Sequence, residues 1–247
     1  MSISIRDYIR WGSEEASEPT TTLVLTSPER RFVDIRVLKA KDNDEAQSQD
    51  TIGADLLPFT RLDWAFAGTS ESEVRLTAAK SSAQEASGHV HSKWHHWISS
   101  RTRNVDGIVD EGDMFPQPDG RTLETGSMVN PASGKVEAYE EMWADPEPTG
   151  AGEEGKVCKV LILRDEAHEA RGMVVRVGQF CQGVLRIGEA FALERWGWRE
   201  HGGWRREVRM GDLWLPCGVP CDGERVKLGG EVKYGDHVWK CVELAEL

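Results

Sequence analysis

The sequence has no run of apolar residues long enough to cross a membrane as a helix. Its start, Met1 to Trp11, lacks the uninterrupted apolar stretch of a secretory signal, so no signal is expected there. No Asn-x-Ser/Thr acceptor occurs. The five cysteines are odd in number and show no Cys-x-x-Cys spacing, which excludes an obvious disulfide framework or four-ligand zinc site. Cys217 and Cys221 stand close together in a Pro-rich loop and read as ordinary thiols. These absences point to the cytoplasm. Positive charge is also scarce: 30 Lys and Arg face 42 Asp and Glu, a net charge of −12. Phosphate affinity rests on clustered cations, so neither nucleic acid nor an anionic membrane surface is an expected partner. Helical periodicity is nearly missing. The exception is a short helix expected from about Ile5 to Trp11, where Ser4 and Asp7 have the spacing of a capping box and Gly12 follows.

What the chain does have is tryptophan, ten in 247 residues, and many short strand-like runs. Leu62-Asp-Trp-Ala-Phe-Ala-Gly-Thr69 is the most distinctive, with Trp64 and Phe66 on one face. Thr21 to Thr26 and Phe32 to Leu38 flank the turn Ser27-Pro-Glu-Arg30 and read as a hairpin. In the second of these strands Val33, Ile35 and Val37 form the apolar face, and Phe32, Asp34 and Arg36 the other. Charged loops are expected over Lys39 to Thr51 and Ser81 to Gly88, and a strand over Val74 to Ala79. A strand is expected over His89 to Ile98, a turn-rich stretch over Arg101 to Gly120, and a hairpin from Leu123 to Trp143. Asp145 to Gly155, rich in Pro and Gly, reads as a linker between domains spanning 1–147 and 148–247. Strands then recur at Val157, Gly172, Gln179, Phe191, Trp204, Val226 and Val238. Strands at this spacing with turn signals between them predict an all-β protein made of two β-barrel-like halves packed together.

Several motifs were weighed against plainer readings. Gly150 to Lys156 has the Gly-x-x-x-x-Gly-Lys spacing, but Val157 stands where a phosphate loop needs a hydroxyl, and two glutamates lie inside it. It reads as linker. His89, His91 and His95 share a strand face, with Glu111 or Asp113 the only carboxylates within plausible reach; a solvated face is the better reading, and no metal or other cofactor is expected. Arg195-Trp-Gly-Trp-Arg199 and Trp204 to Arg209 are basic and aromatic, but Glu194, Glu200 and Glu207 dilute them. They read as a hairpin with cation–π pairs rather than a strand-binding platform. The candidate wall of a small-molecule pocket is Trp64, Phe66, Trp94, Phe180, Phe191 and Trp196, all residues that suit a core equally well. Gln182 shares a face with Phe180 and can serve either as a pocket donor or as a partner for a neighbouring backbone group. Arg195 shares a face with Phe191 and Leu193; if buried, its guanidinium needs a carboxylate or an anionic ligand.

Leu62 to Thr69, Trp94-x-x-Trp97, Gly172-Met-Val-Val-Arg-Val-Gly-Gln-Phe-Cys-Gln-Gly183 and Gly235-Asp-His-Val-Trp239 together resemble the fungal Hri protein family over essentially the whole chain. The resemblance implies two lipocalin-like β-barrels and, from the family's name, association with a casein-kinase-I-type kinase. It implies no reaction. The chain is more weakly similar, in size and fold class, to fungal hetero-Diels–Alderases. These dehydrate a hydroxymethyl tropolone to a quinone methide and join it to a humulene-type sesquiterpene. Such chemistry needs an apolar cavity that orients two reactants, an acid for the leaving hydroxyl and a cation or donor for the tropolonate. From strand parity alone, His96 is the candidate acid, Arg195 the cation and Gln182 the donor. The expected function is therefore a cofactor-independent enzyme of natural-product formation. The alternatives are a non-enzymatic kinase-binding protein and an apolar-ligand carrier. A homodimer is left open.

Overall fold

The computed structural model describes residues 1–40, 56–76, 88–222 and 226–247. Eight antiparallel strands close into a barrel in chain order. They are β1 (Ser2–Trp11), β2 (Thr20–Thr26), β3 (Arg31–Leu38), β4 (Leu62–Leu76), β5 (Gly88–Ser99), β6 (Val109–Pro116), β7 (Thr122–Val129) and β8 (Val136–Ala144). The other seven form an open sheet, a half-barrel, in the order β13-β12-β11-β10-β9-β15-β14. These are β9 (Val157–Asp165), β10 (Ala170–Val177), β11 (Phe180–Ile187), β12 (Ala190–Arg199), β13 (Gly203–Met210), β14 (Glu231–Tyr234) and β15 (His237–Glu246). The all-β expectation with two barrel-like halves holds.

The short N-terminal helix is a correction. Ser2–Trp11 is a strand that pairs with β2 on one side and β8 on the other. Ser4 does not cap a helix; its hydroxyl donates to Asp145 Oδ1 at 2.5 Å. Two full ladders of backbone hydrogen bonds outweigh one local capping signal. The strand expected over Val74 to Ala79 is, as far as Leu76, the far end of β4. The expected charged loops lie, apart from residues 39, 40 and 88, outside the described residues. The stretch expected to be turns hides β6, whose Asp110-Glu-Gly-Asp113 carries no apolar alternation.

The main core is the seam between barrel wall and sheet. Leu23, Leu25, Val33, Ile35, Val37, Ala65 and Ala67 point outward from the barrel onto Val160, Met173, Val175, Val184, Leu193 and Met210 of the sheet. Each fully buried aliphatic side chain there contributes about 1.5–3 kcal/mol. The sheet's other face is filled by Trp239 and by Leu215 and Cys217 from the crossing segment before β14. Strands β2 and β3 and the first half of β4 are thus covered on both faces, because their remaining side chains face the barrel interior. The half-buried reading of β3 therefore needs amending: Phe32, Asp34 and Arg36 are not solvated but lie inside.

A bulge at Trp97 on β5, opposite Ala67 and Gly68 of β4, shifts the register of the two strands, so His96 faces the interior while Ile98 joins the seam. Gly68 is required there: a Cβ would stand 1.8 Å from the carbonyl oxygen of His95. Gly68→Ala is expected to cost about 3 kcal/mol or more in urea unfolding, whereas Gly155→Ala, with nothing within 4 Å, should stay within about 0.5 kcal/mol. Equal effects would remove the bulge from this account.

Candidate functional site

The barrel is hollow at one end. A cavity of about 500 Å³ opens beside Met1, Ser2 and Arg30 and runs inward to Asp34, Arg36, Glu124 and Glu141. One side is aromatic. Phe32 meets Phe66 edge to face at 5.6 Å between ring centres, and Trp64 lies 4.3 Å from Phe66. Trp94 packs against this group. Phe32, Phe66, Trp94, Tyr139 and Trp143 all border the cavity. β3, β4, β5 and β8 deliver them, since side chains of one strand face take every second residue.

The inner end is charged. Arg36 donates to Asp34 Oδ2 at 2.9 and 3.0 Å and to Glu141 Oε1 at 3.3 Å. Glu141 also accepts from Arg6, which in turn holds Glu18 at 2.7 Å. This ion-paired belt closes the cavity from below, and Arg36 also borders the small hollow beyond it. Asp34 Oδ1 has no hydrogen-bond partner among the described residues. Glu124 is different in kind: it accepts from the Tyr139 hydroxyl at 2.7 Å and from Trp143 Nε1 at 2.9 Å. Burial, followed by repulsion from Glu141, pushes its carboxyl up to about 8. At neutral pH it therefore holds its proton. Burial also raises Asp34, and burial beside Glu124 and Glu141 raises the Tyr139 phenol.

Of the residues proposed from sequence, the structure brings together Trp64, Phe66, Trp94 and His96. His96 stacks on Phe66 at 4.5 Å and meets Asp110 Oδ2 at 3.0 Å through Nε2; Phe66 and Asp110 both border the cavity. The others stand elsewhere. Gln182 and Arg195 are cross-strand partners on the seam face of the sheet. Gln182 Nε2 donates to the Leu23 and Val33 carbonyls at 2.9 and 3.2 Å. Arg195 donates to Gln182 Oε1 at 2.8 Å, to the Ile35 carbonyl at 2.7 Å and to the Thr21 carbonyl at 3.2 Å. The partner that a buried guanidinium needs is here the barrel's own backbone. With no carboxylate against it, burial lowers Arg195 to about 10. Phe180 and Phe191 pack at the same seam, and Trp196 packs on the other face of the sheet, donating to Glu194 at 2.7 Å. His89 and His91 both reach Asp113, at 3.3 and 2.8 Å. Among the described residues no three His, Cys, Asp or Glu are arranged to hold a metal ion, and no helix is long and apolar enough to cross a membrane. Sequence reasoning passed over Asp34, Glu124, Tyr139 and Glu141. Their signal is alternation with outward residues along β3, β7 and β8.

The model of the family described as Protein HRI1 matches residues 2–243. A solved structure, the uncharacterized protein YLR301w from Saccharomyces cerevisiae, is similar over 99% of this chain and 98% of its own, with a TM-score of 0.69 and 17% identity. At that identity the likeness is one of fold. No curated protein matches.

The lumen carboxyls give the fold a pH dependence. A carboxyl whose folded pKa lies above its unfolded value keeps its proton longer in the folded chain. Glu124 therefore imposes no cost below about 4.5, and the fold loses stability as pH rises from there through about 8. Glu124→Gln removes that loss. Its thermal midpoint is expected to gain on the unaltered protein between pH 5 and pH 9 by at least about 4 °C, corresponding to about 1–2 kcal/mol at this size. A difference that does not change with pH would contradict the buried, proton-holding carboxyl.

Proposed function

The chain belongs to the HRI1 family, and on that premise we propose that it binds a small molecule with an apolar body inside the N-terminal barrel. The observation that carries this is the cavity itself. It has the volume of a small-molecule site, an aromatic wall on one side, a few fixed polar groups at its inner end and an open mouth. In the half-barrel Trp239, Leu215 and Cys217 occupy the corresponding space. Arg195 and Gln182 belong to the support of the barrel wall in this reading, and the ligand meets Phe32, Phe66, Trp94 and the Asp34–Arg36–Glu124 end.

A second reading adds turnover in the same cavity: dehydration of a hydroxymethyl tropolone and its cycloaddition to a humulene-type sesquiterpene. Glu124, protonated at neutral pH beside the aromatic wall, favours it, because a leaving hydroxyl needs a proton donor. Arg36 is the cation nearest that role, although Asp34 and Glu141 already pair with it. Formation of a single stereoisomer of the adduct, faster than without protein and slowed at least about tenfold by Glu124→Gln, is the expected signature. Equal rates with and without protein would remove this reading and leave the binding one.

The binding reading is tested with the neutral fluorophore N-phenyl-1-naphthylamine. Saturable binding at one site per chain is expected, with quenching of tryptophan emission, since Trp94 and Trp143 border the cavity. Val24→Trp, which fills the cavity from β2, should weaken it about tenfold or more. Arg195→Met should cost about 3 kcal/mol of folding stability while leaving the affinity unchanged. No saturable binding to the folded protein, or equal binding by Val24→Trp, would overturn the assignment.

A further inference from the structure

We infer that the barrel cavity is built for an organic cation, a primary or substituted amine carrying an apolar or aromatic body, with Glu124 as the residue that selects it. The inference rests on the binding reading above and names the ligand class of that site.

Two features of the cavity point to a cation. The first is its charge. Among the buried residues that border it, three carboxyl residues, Asp34, Glu124 and Glu141, stand against one guanidinium, Arg36. The rim continues the excess, with Asp110, Glu111 and Asp145 against Arg30 and the α-amino group of Met1. The second is its wall. Phe32, Phe66, Trp94, Tyr139 and Trp143 present π-systems, whose faces attract cations and give nothing comparable to an anion. A carboxylate entering this space would meet the wrong sign on both counts.

Among the carboxyl groups, one is left for the ligand. Asp34 is matched by Arg36, and Glu141 by Arg36 and Arg6. Among the described residues Glu124 has no ion-pair partner. Its two oxygens are aimed by the Tyr139 hydroxyl and Trp143 Nε1 alone, neither of which brings charge. The charged groups that face it are Glu141 from β8 and Arg36 from β3. Without a ligand this carboxyl is kept neutral by its surroundings, since an ionised carboxylate without a counterion is costly to bury. An ammonium group supplies the missing counterion. Binding then converts the neutral carboxyl and the incoming ammonium into a buried ion pair, and the carboxyl proton passes to the buffer. The unpartnered Asp34 Oδ1, 98% shielded with the rest of its residue, is a second acceptor bordering the same end.

Three probes of one shape test this by titration calorimetry: 1-naphthylmethylamine, 1-naphthalenemethanol and 1-naphthoate. At pH 7 the amine should bind at least tenfold more tightly than the alcohol, and the carboxylate most weakly. In buffers of different ionisation enthalpy, close to one proton should be released per amine bound at pH 7, and little at pH 9.5. Glu124→Gln should bring amine and alcohol within about threefold and abolish the proton release, with its unfolding midpoint showing that it is folded. Alcohol or carboxylate binding as tightly as the amine would overturn the inference, and so would amine binding without proton release at pH 7. Binding of the neutral N-phenyl-1-naphthylamine with no binding of the amine would overturn it too, while leaving the cavity reading in place. No binding of any probe would overturn both.

Discussion

Strands β2, β3 and β4 separate two interiors, and the structure depends on their keeping the two apart. On β3, Val33, Ile35 and Val37 enter the seam with the sheet, while Phe32, Asp34 and Arg36 enter the barrel. A slip of one residue would exchange the sets and drive Asp34 and Arg36 into an apolar core. The register is held from both sides. Inside, Arg36 and Arg6 meet on Glu141 across the barrel. Outside, Gln182 and Arg195 reach over the seam to the carbonyls of Leu23, Val33 and Ile35. At the end of the same hairpin, Glu243 accepts from the Ser27 hydroxyl at 2.7 Å and from Arg31 at 2.5 Å. These polar struts sit in the seam itself, so they specify one docking position where aliphatic contact alone would tolerate several.

The energetics of the two interiors differ. The seam is close-packed aliphatic material and carries most of the stability. The barrel interior spends much of its surface on charge. A buried ion pair is about neutral against well-packed hydrophobic residues, and its replacement by them often stabilises by about 1–4 kcal/mol. Arg6, Arg36, Asp34 and Glu141 therefore do not explain why the barrel folds. Nor does Glu124, whose ionised form is opposed by burial and by Glu141. Stability alone would favour a leucine-filled interior, as in the half-barrel, where Leu161, Leu163 and Leu185 surround Trp239. The polar interior calls for a different reason, and a ligand is the one that its open end supplies.

The same division explains what could be read from the sequence. Alternation located most of the strands, and the hairpin at Ser27–Arg30 was legible from its turn residues. The aromatic faces of β4 and β5 were legible too, and they meet as expected in Trp64, Phe66, Trp94 and His96. Polar residues in alternation with apolar ones ordinarily mark a solvated face, however, and a chain cannot announce that its polar face is enclosed. Asp34, Glu124 and Glu141 were lost for that reason. β6 was lost because its central Asp110-Glu-Gly-Asp113 carries no apolar alternation. Gln182 and Arg195 lie on the sheet face turned to the barrel. Which of two interiors that face served, though, depended on the packing of sheet against barrel, a contact with no local signature.

Glycine decides which of the two halves is hollow. In the sheet, a Cβ on Gly172 would stand 2.2 Å from the Trp239 ring, and one on Gly183 would stand 2.7 Å from Cys217 Sγ. Those glycines let large groups come down onto the strand and fill the space above it. In the barrel, a Cβ on Gly112 would meet Glu124 Oε1 at 2.8 Å, and one on Gly126 would meet the Tyr139 hydroxyl at 2.5 Å. Here the missing side chains let polar groups lie flat against the wall. The hydroxyl of Tyr139 is thereby brought onto Glu124 instead of projecting across the lumen, and the volume in front of both is left open. The glycines that close one half thus have counterparts that hold the other half open, with a proton-bearing carboxyl fixed at its edge.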